Sequence, residues 1–258
     1  MKYGVKGYLR YFFFSRHRCG HGLHSPFVYD LVTKGFRRKT KAKELELADA
    51  ILQVMRSDKR MINRAAFGAA GKQETVKAGA FVRRSSVSRK YGKLLYNLIA
   101  YFKPGTILEL GSATGISAIY MAMGNPEARL VTVEGCRETA MIAQENVNRI
   151  GIKNVTVVNA PFEEVLPLVF FDLRKIDFAF FDGNHTFDAT TDYFERCLPF
   201  TDENSIFIFD DIHWSEEMEK AWEKIKQHPS VSVSVDIYRM GLVFFRKGIE
   251  KQHFVIRY

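Results

Sequence analysis

From Thr106 onward, short apolar runs alternate with stretches of helical periodicity, and no other feature limits the fold of this chain as strongly. A chain patterned in this way builds a mostly parallel sheet covered by helices on both faces. The pattern predicts strands over 106–110, 130–134, 155–158, 177–182, 205–210, 231–237 and 241–246, with helices near 115–123, 137–150, 161–169, 187–197 and 215–228. The last two strands are joined directly around Tyr238–Gly241. So short a joint makes an antiparallel pair. The expectation is an α/β fold with a seven-stranded, mostly parallel sheet whose last strand is antiparallel.

The first hundred residues read instead as helices without a strand pattern. Ser25-Pro26 is a helix start, with Ser as N-cap and Pro at the first helical position, and further helices are expected from about Lys43 to Arg60 and from Ser88 to Phe102. Between them, residues 61–87 mix Gly, Ala, Ser and basic residues with little periodicity, which reads as a mobile loop and a candidate lid. Charge divides the chain at the same place. Residues 1–93 hold 22 Lys or Arg against 6 Asp or Glu, whereas residues 94–258 hold 16 against 23. The expected organisation is a basic helical N-terminal extension, 1–93, before an acidic domain, 94–258, of the kind ordinary soluble enzymes have. Such a basic segment suits an anionic partner, or is simply a solvated face.

No apolar run approaches the roughly 20 residues of a membrane span, and the first residues lack the apolar stretch of a signal peptide. Cys19, Cys136 and Cys197 form no paired framework. The expected address is the cytoplasm.

Within this frame, Thr106-Ile-Leu-Glu-Leu-Gly-Ser-Ala-Thr-Gly-Ile-Ser117 places Gly111 and Gly115 between an apolar strand and a helix. Glycines there let the backbone turn sharply and approach a ligand, and the helix start offers free N–H groups. A dinucleotide fingerprint needs G-x-G-x-x-G, but Ala113 holds the middle position and the third Gly is missing. NAD is disfavoured. The segment resembles the E-x-G-x-x-x-G-x-S first motif of class I S-adenosylmethionine-dependent methyltransferases of the catechol O-methyltransferase-like group. That family has a Rossmann-like parallel sheet ending in one reversed strand, in keeping with the pattern above. The resemblance implies cofactor contacts from Glu109, Gly111, Ser112, Ala113, Gly115 and Ser117. It also implies ribose binding by Glu134 beside Gly135, and an adenine wall at Ala160, Pro161 and Phe162. A carboxylate offers two acceptor oxygens to a vicinal diol. The plainer alternative makes Glu134 a surface carboxylate and Phe162 a core residue, but all the segments follow in order and spacing.

The following strands end in Asp182-Gly-Asn-His185 and Asp210-Asp211-Ile-His213-Trp214. Ligands bind at the carboxyl ends of such strands. In metal-dependent members of the family the corresponding positions hold Mg²⁺, so the resemblance implies Asp182, Asp210 and Asp211 as metal ligands, with Asp182 also near the cofactor. His185 falls three residues after Asp182, where catechol-type enzymes place a Lys base. An imidazole suits proton removal at neutral pH, and His213 is the second candidate base. Successive strand residues such as Asp210 and Asp211 point to opposite faces unless the strand ends there, and Asp182 could instead cap a helix. The departure at His185 points away from a catechol rather than away from methyl transfer.

The string His21-Gly-Leu-His-Ser-Pro-Phe27 resembles a group of bacterial methyltransferases of undefined substrate. His17, Cys19, His21 and His24 have zinc-like spacings, but no second cluster completes a ligand set. The basic aromatic N-terminus raises two rivals, a nucleic-acid methyltransferase and a non-catalytic cofactor-binding or membrane-surface protein. Against the first, Asp182-Gly-Asn-His185 lacks the Asn/Asp-Pro-Pro-aromatic run of adenine N-methylating enzymes and the Pro-Cys of cytosine C5 enzymes. Against a loss of catalysis in the second stands the carboxylate and imidazole cluster, which leaves membrane contact open. The expected acceptor is a small molecule with a hydroxyl, and an anionic one would suit the basic segment. Oligomeric state is not legible.

Overall fold

Ser25 and Pro26 start a helix as expected. Proline fixes φ near the helical value and lacks only an N–H that a first turn cannot use, while the Ser25 hydroxyl accepts from the Val28 N–H at the head of α1 (Pro26–Asp30). The computed structural model describes residues 7, 11–13, 15, 23–64 and 74–258. They fall in two compact units, one of Lys34–Val169 and one of Met1–Thr33 with Phe170–Tyr258.

In the Lys34–Val169 unit, α2 (Ala42–Arg56) leads to the strands β1 (Met61–Arg64) and β2 (Glu74–Lys77), then to α3 (Ala78–Ser85) and α4 (Arg89–Phe102). The α/β alternation follows: β3 (Thr106–Leu110), α5 (Ile116–Gly124), β4 (Arg129–Glu134), α6 (Arg137–Arg149), β5 (Val155–Asn159) and the start of α7 (Phe162–Leu173). β3 pairs parallel with β4, and β4 parallel with β5. Parallel strands are covered on both faces, which is why Ile107, Leu108, Leu110, Leu130, Val131 and Val133 are all buried. α4 buries Leu94, Leu95, Leu98 and Ile99 and packs against α5. Each such side chain contributes about 1.5–3 kcal/mol of burial, opposed by chain entropy.

Residues 61–87 are the main correction. Where a structureless loop was expected, β1 and β2 pair antiparallel from Met61 opposite Lys77 to Arg64 opposite Glu74, and α3 follows. The extension is therefore not purely helical. Cross-strand and local charges hold this hairpin, with Arg64 and Arg84 both bonded to Glu74, and such pairing leaves no apolar period to read. Residues 65–73 lie outside the described ones.

In the second unit run β6 (Phe178–Phe181), α8 (Phe187–Cys197), β7 (Ile206–Asp210), α9 (Glu216–Gln227), β8 (Val233–Asp236), β9 (Met240–Phe244) and β10 (Gln252–Val255). Their order is β10-β8-β9-β7-β6. β9 alone is reversed, antiparallel to both β7 and β8, whereas β6 is parallel to β7 and β10 to β8. The fold is Rossmann-like, and its mostly parallel sheet has eight strands where seven were expected, besides the β1–β2 hairpin. β10 escaped the sequence reading because it is an edge strand that buries none of its four residues fully. The N-terminal segment belongs to this unit: the Tyr11 hydroxyl donates to the Ile256 carbonyl at 2.8 Å, and Phe27 meets Phe244 edge-on. Among the described residues no helix is long and apolar enough to cross a membrane.

Gly241 on β9 lies under the ring of Trp222 on α9, so close that a Cβ added there would sit 2.6 Å from it. Gly241→Ala should therefore destabilise the protein by about 1–3 kcal/mol. An unchanged urea midpoint would show that α9 is not pressed onto β9.

Candidate functional site

The loop after β3 is held in a conformation few residues adopt. Gly111, Ala113 and Gly115 have φ of 104°, 45° and 79°. Glycine reaches this region freely, but alanine does so against a cost of about 1–3 kcal/mol. What holds Ala113 there is Glu134, at the end of β4. Its carboxylate accepts from the Ala113 N–H at 2.7 Å and from the Cys136 N–H at 2.9 Å. The N–H groups of Gly111 and Ser112 donate to the Val133 carbonyl at 2.9 and 3.2 Å, so the loop is bonded along its length to β4. A Cβ on Gly115 would press on Ala143 of α6 at 3.1 Å.

This loop leaves polar atoms in want of partners. The hydroxyls of Ser112 and Thr114 and one carboxylate oxygen of Glu109 are buried with no hydrogen-bond partner among the described residues. Each such atom costs about 1–3 kcal/mol unless a ligand or water satisfies it. Burial pushes Glu109 up to about 7, against the hydroxyls of Ser117 and Thr132, which favour its charged form. Burial likewise raises Glu134, opposed by the N–H groups of Cys136 and Ala113. The Asn159 amide donates to the carbonyls of Glu134 and Gly135 at 2.7 and 3.1 Å, and the Ala160 N–H donates to the Glu134 carbonyl at 3.2 Å. Glu109, Gly111, Ser112, Ala113, Gly115, Ser117, Glu134, Gly135, Ala160, Pro161 and Phe162 thus all belong to this one unit. The residues fit a polar ligand.

The second cluster, with Asp182, belongs to the other unit. β6 ends at Phe181, and Asn184 and His185 then take φ of 68° and 34°. The Asn184 amide fixes this bend by donating to the Tyr193 hydroxyl at 3.0 Å. It brings His185 Nε2 to 3.5 Å from Asp182 Oδ1. Burial and the nearby Asp210 charge raise Asp182 above the usual carboxylate range. Burial pulls His185 down, but the Asp182 carboxylate, with Asp211 and Asp210 behind it, outweighs that and lifts the imidazole above its ordinary value. The exposed Trp214 ring lies 6.0 Å from that of His185.

Asp210 and Asp211 do not join Asp182 as a cation cage. Asp210 is fully buried, and both its oxygens accept from Arg239: Nε to Oδ1 at 2.9 Å and Nη2 to Oδ2 at 2.7 Å. β7 stops at Asp210, and Asp211 takes a left-handed φ of 53°. Its Oδ1 is 3.7 Å from the same guanidinium nitrogen. A hard cation at this place would have to displace a positive charge already bonded to its ligand. Among the described residues no group of three His, Cys, Asp or Glu is placed to hold a metal ion. The set expected from the resemblance therefore does not fit Mg²⁺.

His213 is also not placed as a base. Its Nδ1 lies 2.9 Å from Glu219 and its Nε2 2.7 Å from Asp236, with the ring stacked on Tyr238, so both nitrogens are engaged. Of the four zinc-like residues, His17, Cys19 and His21 lie outside the described ones. Sequence reasoning missed Arg239. The signal available was an arginine in the tight turn between the last two expected strands, facing carboxylates at strand ends that need a counter-ion.

Residues 108–212 match the methyltransferase domain family. A catechol O-methyltransferase of Sus scrofa is 35% identical over 104 residues, 39% of this chain and 56% of that protein. One from Niastella koreensis is 32% identical over 130 residues, 49% of this chain and 58% of that protein. The chain thus spans a little over half the length of these curated relatives. An O-methyltransferase from Bacillus cereus, solved in complex with SAH, shares 22% identity and a TM-score of 0.58 over 84% of this chain and 96% of that one. At that identity the likeness is one of fold.

The His213 contacts bear on stability. Burial lowers its affinity for a proton, but Asp236 and Glu219 outweigh it and raise the folded-state value above 6.5. The stabilisation is then fully present below about pH 6.5 and lost as pH rises through the raised value. His213→Gln should flatten that part of the stability profile, measured by urea unfolding from pH 5 to 9, and an unchanged slope would assign it to another group.

Proposed function

We propose that this chain, whose residues 108–212 form a methyltransferase domain resembling the catechol-type enzymes, is an S-adenosylmethionine-dependent O-methyltransferase acting on a hydroxyl of a small molecule. The observation that carries this reading is the strained loop after β3, with buried Ser112, Thr114 and Glu109 oxygens that lack partners. Bound there, S-adenosylmethionine supplies an electrophilic methyl group on a sulfonium. The residues that would hold it are Glu109, Ser112, Ala113, Thr114 and Ser117, with Glu134 at the ribose and Ala160 to Phe162 at the adenine. Each Glu134 oxygen that accepts one backbone N–H retains a second lone pair for a diol.

On the acceptor side, His185 takes the hydroxyl proton, and Asp182 holds the resulting imidazolium. The two share a half-buried environment in which each charge favours the other, so proton uptake at His185 is matched to the adjacent carboxylate. Divalent-metal assistance, expected from the resemblance, is no part of this reading, because Arg239 occupies both oxygens of Asp210. All of these residues lie within 94–258, and the basic 1–93 segment favours an anionic acceptor. The buried free thiols of Cys136 and Cys197 suit a reducing compartment, and we place the chain in the cytoplasm.

Two measurements test this. Calorimetry should show S-adenosylhomocysteine binding at micromolar levels and no NAD binding, and Gly111→Val should abolish the former by adding a branched side chain at φ 104°. NAD binding without an adenosyl response would overturn the cofactor. For the base, the rate on a found acceptor should rise with pH through a step above 6.5, since only neutral imidazole accepts the proton and Asp182 raises His185. His185→Gln should remove that step and lower turnover about 10²–10⁴-fold with cofactor affinity kept. Asp182→Asn should move the step down in pH, and a step that survives His185→Gln assigns the base elsewhere.

A further inference from the structure

A fully buried carboxylate must be protonated or paired, since an isolated charge in the interior is far more costly than any single contact returns. Asp210 is paired in the strongest available way. The planar guanidinium of Arg239 meets its two oxygens in a fork and also approaches Asp211, and it remains charged across the whole working range of pH. The backbone aims it there. Tyr238 takes a left-handed φ of 72° and its N–H donates to Asp236 Oδ1 at 2.7 Å, which shapes the turn between β8 and β9. The Ile212 N–H then donates to the Arg239 carbonyl at 3.2 Å, and the register of β7 on β9 sets Asp210 opposite Met240. The turn is thus bonded to the strand end it neutralises.

We propose that Arg239 is a built-in cation standing where a divalent metal would need to bind beside Asp210 and Asp211, so that this chain works without a metal. Arg239 acts through Asp210 and is a positioning residue. The inference rests on the methyl-transfer reading only for the reaction it serves, and its test uses no turnover.

The test is a titration of Mn²⁺ into the full chain, read as free ion by electron paramagnetic resonance. For the natural sequence the free-ion signal should equal that of buffer. Arg239→Gln, which replaces the cation by a shorter neutral polar side chain, should gain Mn²⁺ affinity by about tenfold or more by freeing Asp210 as an oxygen ligand. Adding Asp210→Asn to that variant should remove the gain. One Mn²⁺ bound per natural chain and weakened by Asp211→Asn would overturn the proposal, and so would a folded Arg239→Gln that gains nothing. Should Arg239→Gln fail to fold, the titration of the natural chain decides alone. S-adenosylhomocysteine calorimetry on the same samples keeps the two readings apart, because its failure would remove the cofactor and leave the ion result standing.

Discussion

The Glu134 carboxylate is the interaction on which the shape of the loop after β3 depends. By accepting from the N–H groups of Ala113 and Cys136, it ties the loop after β3 to the turn after β4 and holds an alanine in left-handed backbone. Parallel pairing of β3 with β4 brings the two turns side by side, and the carboxylate converts that neighbourhood into a fixed shape. Without it the loop would relax toward common φ values, and the buried hydroxyls of Ser112 and Thr114 would find backbone partners of their own. The loop keeps orphan polar atoms because the strand ends hold it rigid.

The other unit meets a different constraint, that of charge. Burial raises both Asp182 and Asp211, and the Asp210 charge raises them further. Two cationic groups answer this in two ways. Arg239 neutralises Asp210 permanently, whereas His185 beside Asp182 neutralises only when protonated. The one is a fixed cation and the other a titratable one. Left-handed backbone recurs at Asn184, His185, Asp211 and Tyr238, where the chain leaves its strands to place these side chains.

What was legible in the sequence was what lies close along the chain. β3, the glycine turn and the start of α5 form one continuous segment, so their strand-turn-helix arrangement could be read directly, and the apolar runs of β4 to β9 carried their own boundaries. Contacts set by strand register were not readable. Asp210 and Arg239 are 29 positions apart and meet only because β9 turns back on β7. His213 resembles a site histidine until Asp236 closes on it from 23 positions away. The resemblance gave Glu134 an expected role at a ribose, whereas its grip on Ala113 appears only in the fold. The β1 and β2 hairpin escaped because charges gathered on Glu74, from Arg64 across the strands and Arg84 on α3, and not alternation, mark it.

Hydrogen exchange at single-residue resolution, with and without S-adenosylhomocysteine, tests the cradle most directly. The account requires slowed exchange in residues 111–117 and 134–136, where the N–H groups of the loop and of the turn after β4 would be ordered by a ligand. Protection confined to other segments, or none at saturating ligand, would contradict it.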